Sequence, residues 1–358
     1  MATGVSNSEL IELQKVTLAN LPQQEFEVAL QQQEYHVINK WFKEDKITLD
    51  SGTSIERNVI LDPQGNAQHV RLFQKLTSNV PENQSKVTAP WCQVTSSYAM
   101  ERREILRNRK PAGYISLLKS RRVSASVNLA NLLEDRAFRC PDSATDDLNP
   151  RGIPYYLTKV DAGVSSAGDF IGKTIRWGDG TTIATNKAGI NPTANPNWRN
   201  YAFTYTAINR ELVKRMSRAF YATQFKSPII AKDLKDGPLS NYRIYVPLNV
   251  LVDLEDLAQS SNENLGPDLL PFHGVTAFKR IPLLHTPQLN SDVDQPIYGT
   301  NHDKFAPYVL EDDWMREDDP MNDVEQPDTF TTRMSGSYQY FCTNVRLAGF
   351  VGSLVPTV

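Results

Sequence analysis

The sequence predicts an α+β fold, and three features carry that expectation. Tyr242, Ile244 and Val246 alternate with Arg243 and Tyr245, the period of a half-buried strand, and Pro247 ends it. Immediately afterwards Leu251, Leu254, Leu257 and Ala258 recur at helical spacing over residues 249–259. Asn249 is placed to cap this helix, with Asp253, Glu255 and Asp256 on its wet side. Upstream, Ile115, Leu118, Ala125, Leu129, Leu132 and Leu133 recur at threes and fours within residues 114–139. That pattern predicts a helix about 40 Å long at the usual rise per residue, stopped by Pro141.

A chain of 358 residues is long enough for two domains or one elaborated one, with room for a large core. With 40% hydrophobic and 22% charged residues it reads as soluble and globular. No apolar run approaches the roughly 20 residues that cross a bilayer, and residues 1–13 have neither the basic start nor the apolar core of a signal peptide. Synthesis inside the cell, with no membrane partner, is therefore expected. A net charge of −3 gives no global pull toward nucleic acid, so any such role falls to local patches. Cys92, Cys140 and Cys342 are an odd number without C-x-x-C spacing. This argues against a disulfide framework or a zinc site and for buried thiols.

In chain order, residues 8–21 and 23–43 read as two helical stretches separated at Pro22. Phe26, Leu30, Val37 and Trp41 form a one-sided apolar stripe on the second. Such a stripe suits a peripheral helix on the chain's own core about as well as an arm lying across a neighbouring subunit. Ile55, Val59, Ile60 and Leu61 then precede Asp62-Pro63-Gln64-Gly65-Asn66, with Val70, Leu72 and Phe73 after it. Asp-Pro-x-Gly is a strong turn signal, so a long hairpin is expected, carrying Arg57, His69 and Arg71 among its apolar residues. Little nearby sequence can bury both of its faces, and uncovered strand edges are usually paired. Residues 101–122 are basic, with Arg102, Arg103, Arg107, Arg109, Lys110, Lys119, Arg121 and Arg122 against Glu101 and Glu104 alone. Residues 141–200 show little regular pattern and read as an insertion or extended loop that contacts neighbours. Asn209 caps a helix to Phe225 with Leu212, Met216, Ala219, Phe220 and Thr223 on one face.

No motif for catalysis stands out. Residues Ala167-Gly168-Asp169-Phe170-Ile171-Gly172-Lys173-Thr174 fit a relaxed phosphate loop, which would make Lys173 and Thr174 the nucleotide ligands of an enzyme. Neither flank suits one, because no buried strand precedes it and the Gly-rich residues after it are poor helix formers. His36, His69, His273, His285 and His302 lack metal-site spacing, and no cofactor is expected. An acidic run contains Glu311, Asp312, Asp313, Glu317, Asp318, Asp319, Asp323, Glu325 and Asp328, opposed by Arg316. A solvated loop is its plain reading.

Five segments in order carry a family resemblance: residues 242–249 leading into a helix, Gly274 to Phe278 before Ile281-Pro282, Pro296-Ile297-Tyr298-Gly299, residues 305–314, and residues 338–344. The series resembles the A-domain of major capsid proteins of tailed double-stranded DNA phages, of the Hong Kong 97-like fold. The resemblance implies an N-terminal arm at 1–43, an extended E-loop at 44–100 that lies on the adjacent subunit, and a P-domain at 101–235 whose spine helix is 114–139. It further implies an A-domain at 236–345 and a return to the P-domain at 346–358. The implied function is structural: copies of the chain would form pentamers and hexamers of an icosahedral head around packaged DNA. An encapsulin-like compartment shell is the alternative within the fold. The implied location is the virion, after synthesis in the bacterial host cytoplasm.

The partners implied are the chain itself, a separate scaffolding protein, a portal and a decoration or cement protein, with non-specific proximity to DNA. Some members join subunits by an isopeptide bond from an E-loop lysine. The turn at 62–66 holds none, and Lys46 and Lys75 are expected toward the hairpin base, which argues against a crosslink. The interface candidates are thus the stripe (Phe26, Leu30, Val37, Trp41), the hairpin (Arg57, Asp62, Gly65, His69, Arg71) and two charge patches. The basic patch is Arg102, Arg103, Arg107, Arg109 and Lys110, and the acidic one is Glu311, Asp312, Asp313, Glu317, Asp318 and Asp319. Acidic residues of one subunit facing basic residues of another would set register and partner choice.

Overall fold

Strand alternation and helical periodicity sort the described residues into two large sheets that meet at a main core, with two two-stranded ribbons beside them. The computed structural model describes residues 34–62, 65–75, 84–107, 111–180, 182–226, 241–262, 276–322 and 328–355. The helices are α1 (Val37–Asp45, with π-type hydrogen bonding), α2 (Arg102–Arg107), α3 (Pro111–Ala137), α4 (Ile153–Tyr156), α5 (Arg210–Ala222), α6 (Leu248–Asn262) and α7 (Val345–Ala348). The strands up to the middle of the chain are β1 (Ile47–Leu49), β2 (Ser54–Ile60), β3 (Gln84–Pro90), β4 (Cys92–Glu101), β5 (Asp169–Gly172), β6 (Ile175–Arg176), β7 (Ile183–Ala184) and β8 (Asn200–Tyr205). The remainder are β9 (Tyr242–Val246), β10 (Ala277–Phe278), β11 (Ile281–His285), β12 (Ile297–Asn301), β13 (Phe305–Leu310), β14 (Arg316–Glu317), β15 (Met321–Asn322), β16 (Thr329–Cys342) and β17 (Gly349–Leu354).

The six-stranded sheet is built on β16. Strand β4 runs antiparallel along it from Thr329↔Glu101 to Tyr338↔Cys92, while β13, β14 and β15 pair with its other edge and β1 lies parallel to β13. Cys92, Val94, Ser96, Tyr98 and Met100 are the buried half of a strict alternation in β4. Helix α3 covers that face: Leu118 and Ala125 pack with Tyr98, Met100, Phe330 and Met334, and the Ser96 hydroxyl donates to the Ala125 carbonyl at 3.0 Å. At 27 residues, α3 is the expected spine, beginning at Pro111 and ending at Ala137. Proline suits a first turn because its missing N–H has no intrahelical partner there.

The seven-stranded sheet has the order β10-β11-β9-β12-β17-β8-β5. Leu212, Met216, Ala219 and Phe220 of α5, with Val250 and Leu254 of α6, cover one face through Phe203, Tyr242, Ile244, Val246, Leu283 and Phe350. The opposite face puts Ala202, Tyr245, Tyr298 and Val351 into the main core. Strand β9 is therefore buried on both sides, not half-buried as its alternation suggests, and Arg243 is the one residue of the strand that is not fully buried. The Asn209 side chain accepts from the Glu211 and Leu212 N–H groups, as expected of a cap. Asn249 does not cap α6, which starts one residue earlier. Asn290, from a distant turn, accepts from the Leu248 N–H at 2.8 Å instead.

Residues 141–200 depart most from expectation. Far from forming a loop on the surface, they bury Ile153, Tyr155, Tyr156, Val160, Ile175, Trp177, Ile190 and Trp198 in the main core. Lys187, fully buried, organises the segment. Its Nζ donates to Thr158 Oγ1 at 2.7 Å, to Gly172 O and Asn200 Oδ1 at 2.9 Å, and to Tyr156 O at 3.3 Å. Burial drives its pKa well below the usual lysine value. The three cysteines are free and buried. Burial pushes the Cys92 thiol up to about 11 and those of Cys140 and Cys342 to about 12.

Helix α1 seats Trp41 where the two sheets meet. Its ring contacts Phe138, Tyr245, His302, Phe305 and Tyr340 at centroid distances of 4.9–5.7 Å. Trp41 Nε1 donates to the Tyr245 hydroxyl at 2.6 Å, and that hydroxyl lies 2.9 Å from His302 Nε2. Having accepted from Trp41, the hydroxyl keeps its proton and a second lone pair for the contact with Nε2. Glu134 of α3 accepts from the His36 and Val37 N–H groups at 3.0 and 2.9 Å, supplying the cap that α1 lacks locally. Burial raises the Glu134 carboxyl to about 7.

Trp41→Ala should lower folding stability by about 3–5 kcal/mol, read as a reduced denaturant midpoint in equilibrium unfolding. A second expectation concerns pH. Burial, reinforced by the nearby Arg243, holds the His302 pKa well below its ordinary 6.5. The unfolded chain therefore takes up the proton first, so this contribution is present above pH 6.5 and is lost as pH falls. Between pH 7 and 5.5 the urea midpoint of the native chain should drop more than that of His302→Gln, with a limiting slope of about 1.4 kcal/mol per pH unit. Equal slopes would remove His302 as the source.

Candidate assembly surfaces

The hairpin is longer than its turn signal implies. Strand β2 pairs with β3 from Ser54↔Pro90 to Ile60↔Gln84, so residues 61–83 form the connection, and Val70, Leu72 and Phe73 are not the return strand. The strong Asp-Pro-x-Gly signal ends β2 without joining the paired strands. Only the base is covered: Ile55, Val87 and Ala89 enter the main core, the Thr88 N–H donates to Ala188 O at 3.0 Å, and Arg151 donates to Thr88 O at 2.7 Å. Outward from there the apolar residues are uncovered, with Ile60 58%, Leu72 87% and Phe73 99% exposed.

Among the hairpin candidates, Arg57, Gly65, His69 and Arg71 are exposed, and Gly65 has a positive φ. Asp62 is also exposed but tethered, accepting from Asn197 Nδ2 at 2.7 Å. Lys75 lies in the 61–83 connection, not toward the base, so the position-based argument against a crosslinking lysine fails. Lys86 of β3 forms an ion pair with Glu56 across the ribbon.

The apolar stripe is corrected. Val37 and Trp41 are fully buried in the chain's own core, so neither is available to a neighbour. The reason is physical: the aromatic pocket between the sheets has room for an indole and offers it a hydrogen-bond acceptor. Phe26 and Leu30 lie outside the described residues, as do Arg109 and Lys110.

The basic run at 101–122 and the acidic run at 311–328 meet within the chain itself, through Arg122 and Arg102. Arg122 donates to Glu317 at 2.6 Å, and the Tyr98 hydroxyl donates to the same carboxylate at 2.7 Å. The Arg102 N–H donates to Asp328 O at 2.8 Å, Arg103 lies 3.8 Å from Glu101, and Arg121 pairs with Glu104 at 2.8 Å. Arg107 is exposed. On the acidic side, Asp313 accepts from Ser337 Oγ at 2.5 Å. Arg316 reaches Asp318 at 3.1 Å, and the Asp318 N–H donates to Arg333 O.

The acidic run is thus not a free loop. Residues 316–317 and 321–322 are ordered as β14 and β15 on β16, which positions Asp318 and Asp319 between them. Glu311 and Asp312 remain exposed at the turn after β13. A hydrogen bond that the protonated Glu311 carboxyl donates to the neighbouring Asp50 carboxylate, together with that residue's charge, raises the Glu311 carboxyl above its ordinary value. Periodicity missed Glu134, Lys187 and His302, since a buried charge has no repeat. Their signal would be a titratable residue inside an otherwise apolar or turn-rich stretch.

The phosphate-loop reading fails on geometry. Asp169–Gly172 is a strand antiparallel to β8, no helix starts at Lys173 or Thr174, and Lys173 lies 3.7 Å from Asp161. Side chains also crowd the backbone where phosphate would sit, with the Tyr201 hydroxyl 2.6 Å from the place of a Cβ on Gly168. Among the described residues, no three His, Cys, Asp or Glu side chains converge as metal ligands, and no helix is long and apolar enough to cross a membrane.

No family model matches the sequence, and no curated protein matches it. Solved structures do. The capsid asymmetric unit of cyanophage A-1(L) superposes with a TM-score of 0.62 at 14% identity, covering 98% of this chain and 100% of that one. The chain has the Hong Kong 97-like capsid fold. The capsid of the native GTA particle is similar at a TM-score of 0.55 and 12% identity, over 94% of this chain and 95% of that one. A structure from Mycobacterium phage Bobi is similar at 0.50 and 12%, over 99% and 100%. The likeness covers 98% of this chain in the first of these comparisons.

Because Glu317 is satisfied inside the subunit, Glu317→Ala should destabilise the isolated chain, by about 1 kcal/mol given the partial exposure of the pair. Thermal unfolding of the monomeric chain measures this, and an unchanged midpoint would return Glu317 to the intersubunit candidates.

Proposed function

We propose that this chain is the major capsid protein of a tailed double-stranded DNA phage, a structural protein whose copies form the pentamers and hexamers of an icosahedral head. The observation that carries the reading is the conjunction of a capsid fold with a β2–β3 ribbon whose apolar Leu72 and Phe73 have no cover among the described residues. Exposed apolar surface of this kind marks an interaction site. A second copy supplies the cover, and heterologous contacts whose rotation closes yield rings and then shells. The work of the chain is then mechanical, and its location is the virion. Scaffolding, portal and decoration proteins are the partners this reading calls for.

In this reading the domain boundaries follow the sheets. The E-loop is β2, β3 and residues 61–83; the P-domain is α3 with the six-stranded sheet; the A-domain is the seven-stranded sheet with α5 and α6. This differs from the partition expected from sequence: β1, β4 and β13 to β16 join the spine helix, while β5, β8, α5 and β17 join the A-domain sheet.

Replacing residues 61–83 with a two-residue Asn-Gly turn keeps the β2–β3 register and removes the uncovered tip. The variant should keep one cooperative thermal transition, lowered only by the loss of Leu61 packing and of the Asn197–Asp62 hydrogen bond, and fail to form shells by negative-stain electron microscopy, under conditions in which the native chain forms them. Normal shells from the variant would sink the assignment of the ribbon as an intersubunit clamp.

A further inference from the structure

Helices α5 and α6 cover the same face of the seven-stranded sheet and carry opposite charge. From Arg210 to Ala222, α5 holds Arg210, Lys214, Arg215 and Arg218 against Glu211. From Leu248 to Asn262, α6 holds Asp253, Glu255 and Asp256 and no lysine or arginine. Some of these charges are used locally. Arg215 turns inward to the Thr204 carbonyl, and Glu255 accepts from the Thr276 hydroxyl at 2.8 Å.

The rest form ridges. Arg210, Lys214 and Arg218 lie four residues apart on the exposed side of α5, opposite its core residues, and Asp253 and Asp256 are exposed on α6. Lys214 reaches only Glu211, at 4.0 Å. Arg210, Arg218, Asp253 and Asp256 form no ion pair among the described residues. Between the ridges runs an apolar groove of about 430 Å³, lined by Val213, Met216, Leu254, Leu257, Phe278 and Leu283.

An apolar strip flanked by a basic ridge on one side and an acidic ridge on the other has the makings of a self-complementary contact. Helix α6 packs over β11 and α5 over β17 and β8, so the ridges sit toward different ends of the sheet order. Two copies placed side by side therefore bring unlike ridges together. Placed with like ridges together, they would repel, and such juxtapositions cost several kcal/mol.

We infer that neighbouring copies meet head to tail through these helices, the basic ridge of α5 on one copy against the acidic ridge of α6 on the next. The inference rests on the capsid reading and gives the ring its direction. A head-to-tail contact leaves one basic and one acidic ridge free at the ends of any open oligomer, so only ring closure satisfies both. Charge pairing also selects register, because sliding one helix past the other by a turn sets Arg218 or Arg210 beyond the reach of its carboxylate.

The test is a charge swap in the full chain. Lys214→Glu/Arg218→Glu and Asp253→Lys/Asp256→Lys should each lower the yield of shells by about tenfold, with unchanged circular dichroism and melting temperature because all four residues are exposed. Combining the two pairs should restore shells, since the complementarity is then rebuilt with its sign reversed. Normal shells from both paired variants, or no rescue from a folded combined variant, would overturn the inference while leaving the capsid reading intact. Normal shells from the α5 pair with reduced retention of DNA would assign the basic ridge to phosphate and likewise overturn it. Failure of the native chain to form any ring or shell, with or without scaffolding protein, would remove the capsid reading and this inference together.

Discussion

The indole of Trp41 is the joint on which the rest of the subunit depends. One side chain touches the residue after the spine helix (Phe138), a central strand of one sheet (Tyr245), the turn before β13 (His302), and two strands of the other sheet (Phe305 and Tyr340). Aromatic contacts of this kind add directional preference to area burial, and the hydrogen bond to Tyr245 removes the freedom to rotate within the pocket. The two sheets are consequently held at one relative setting by a helix that belongs to neither. Glu134 completes the arrangement, because a carboxylate on the spine accepts the leading N–H groups of that helix.

Much of the fold was legible where a segment has one wet face and one dry one. Helix α5, with Asn209 at its start, and the spine helix could be read to within a few residues, because i, i+4 spacing and capping chemistry are local properties. Strand β9 was found but its environment was not, since a strand buried on both faces and a half-buried strand ending in tyrosine share the same letters. The true partner of β2 was hidden for a different reason: pairing to β3 is a matter of distance along the chain, and the strong turn signal at 62–66 marks a break in direction without naming the strand that returns. The buried lysine of the 141–200 segment explains why that stretch looked irregular. Its order comes from one buried lysine nitrogen gathering four oxygens, which leaves no periodic trace.

The surface candidates fared unevenly for the same cause. Charge runs are visible in a sequence, but whether a charge is spent inside the subunit depends on what the fold brings near it. Glu317 found Arg122 across more than a hundred residues, and the Trp41 stripe found an internal pocket. The exposed Leu72 and Phe73 show the converse case, apolar residues that the fold leaves in water, and there the mismatch itself is informative.

Strand β17 has a consequence for how this chain comes into being. It lies between β12, antiparallel, and β8, parallel, in the interior of the seven-stranded sheet. Until Leu354 has been added, β12 and β8 each present an open edge where the middle of a sheet should be, and the faces that carry α5 and α6 have no fixed spacing. The sheet is therefore completed last, by contacts that span nearly 150 residues between β8 and β17, the slow kind of pairing. A growing chain, or one cut short of this strand, lacks the closed seven-stranded sheet. Closure of the sheet is in this way tied to synthesis of β17, a timing written into strand order.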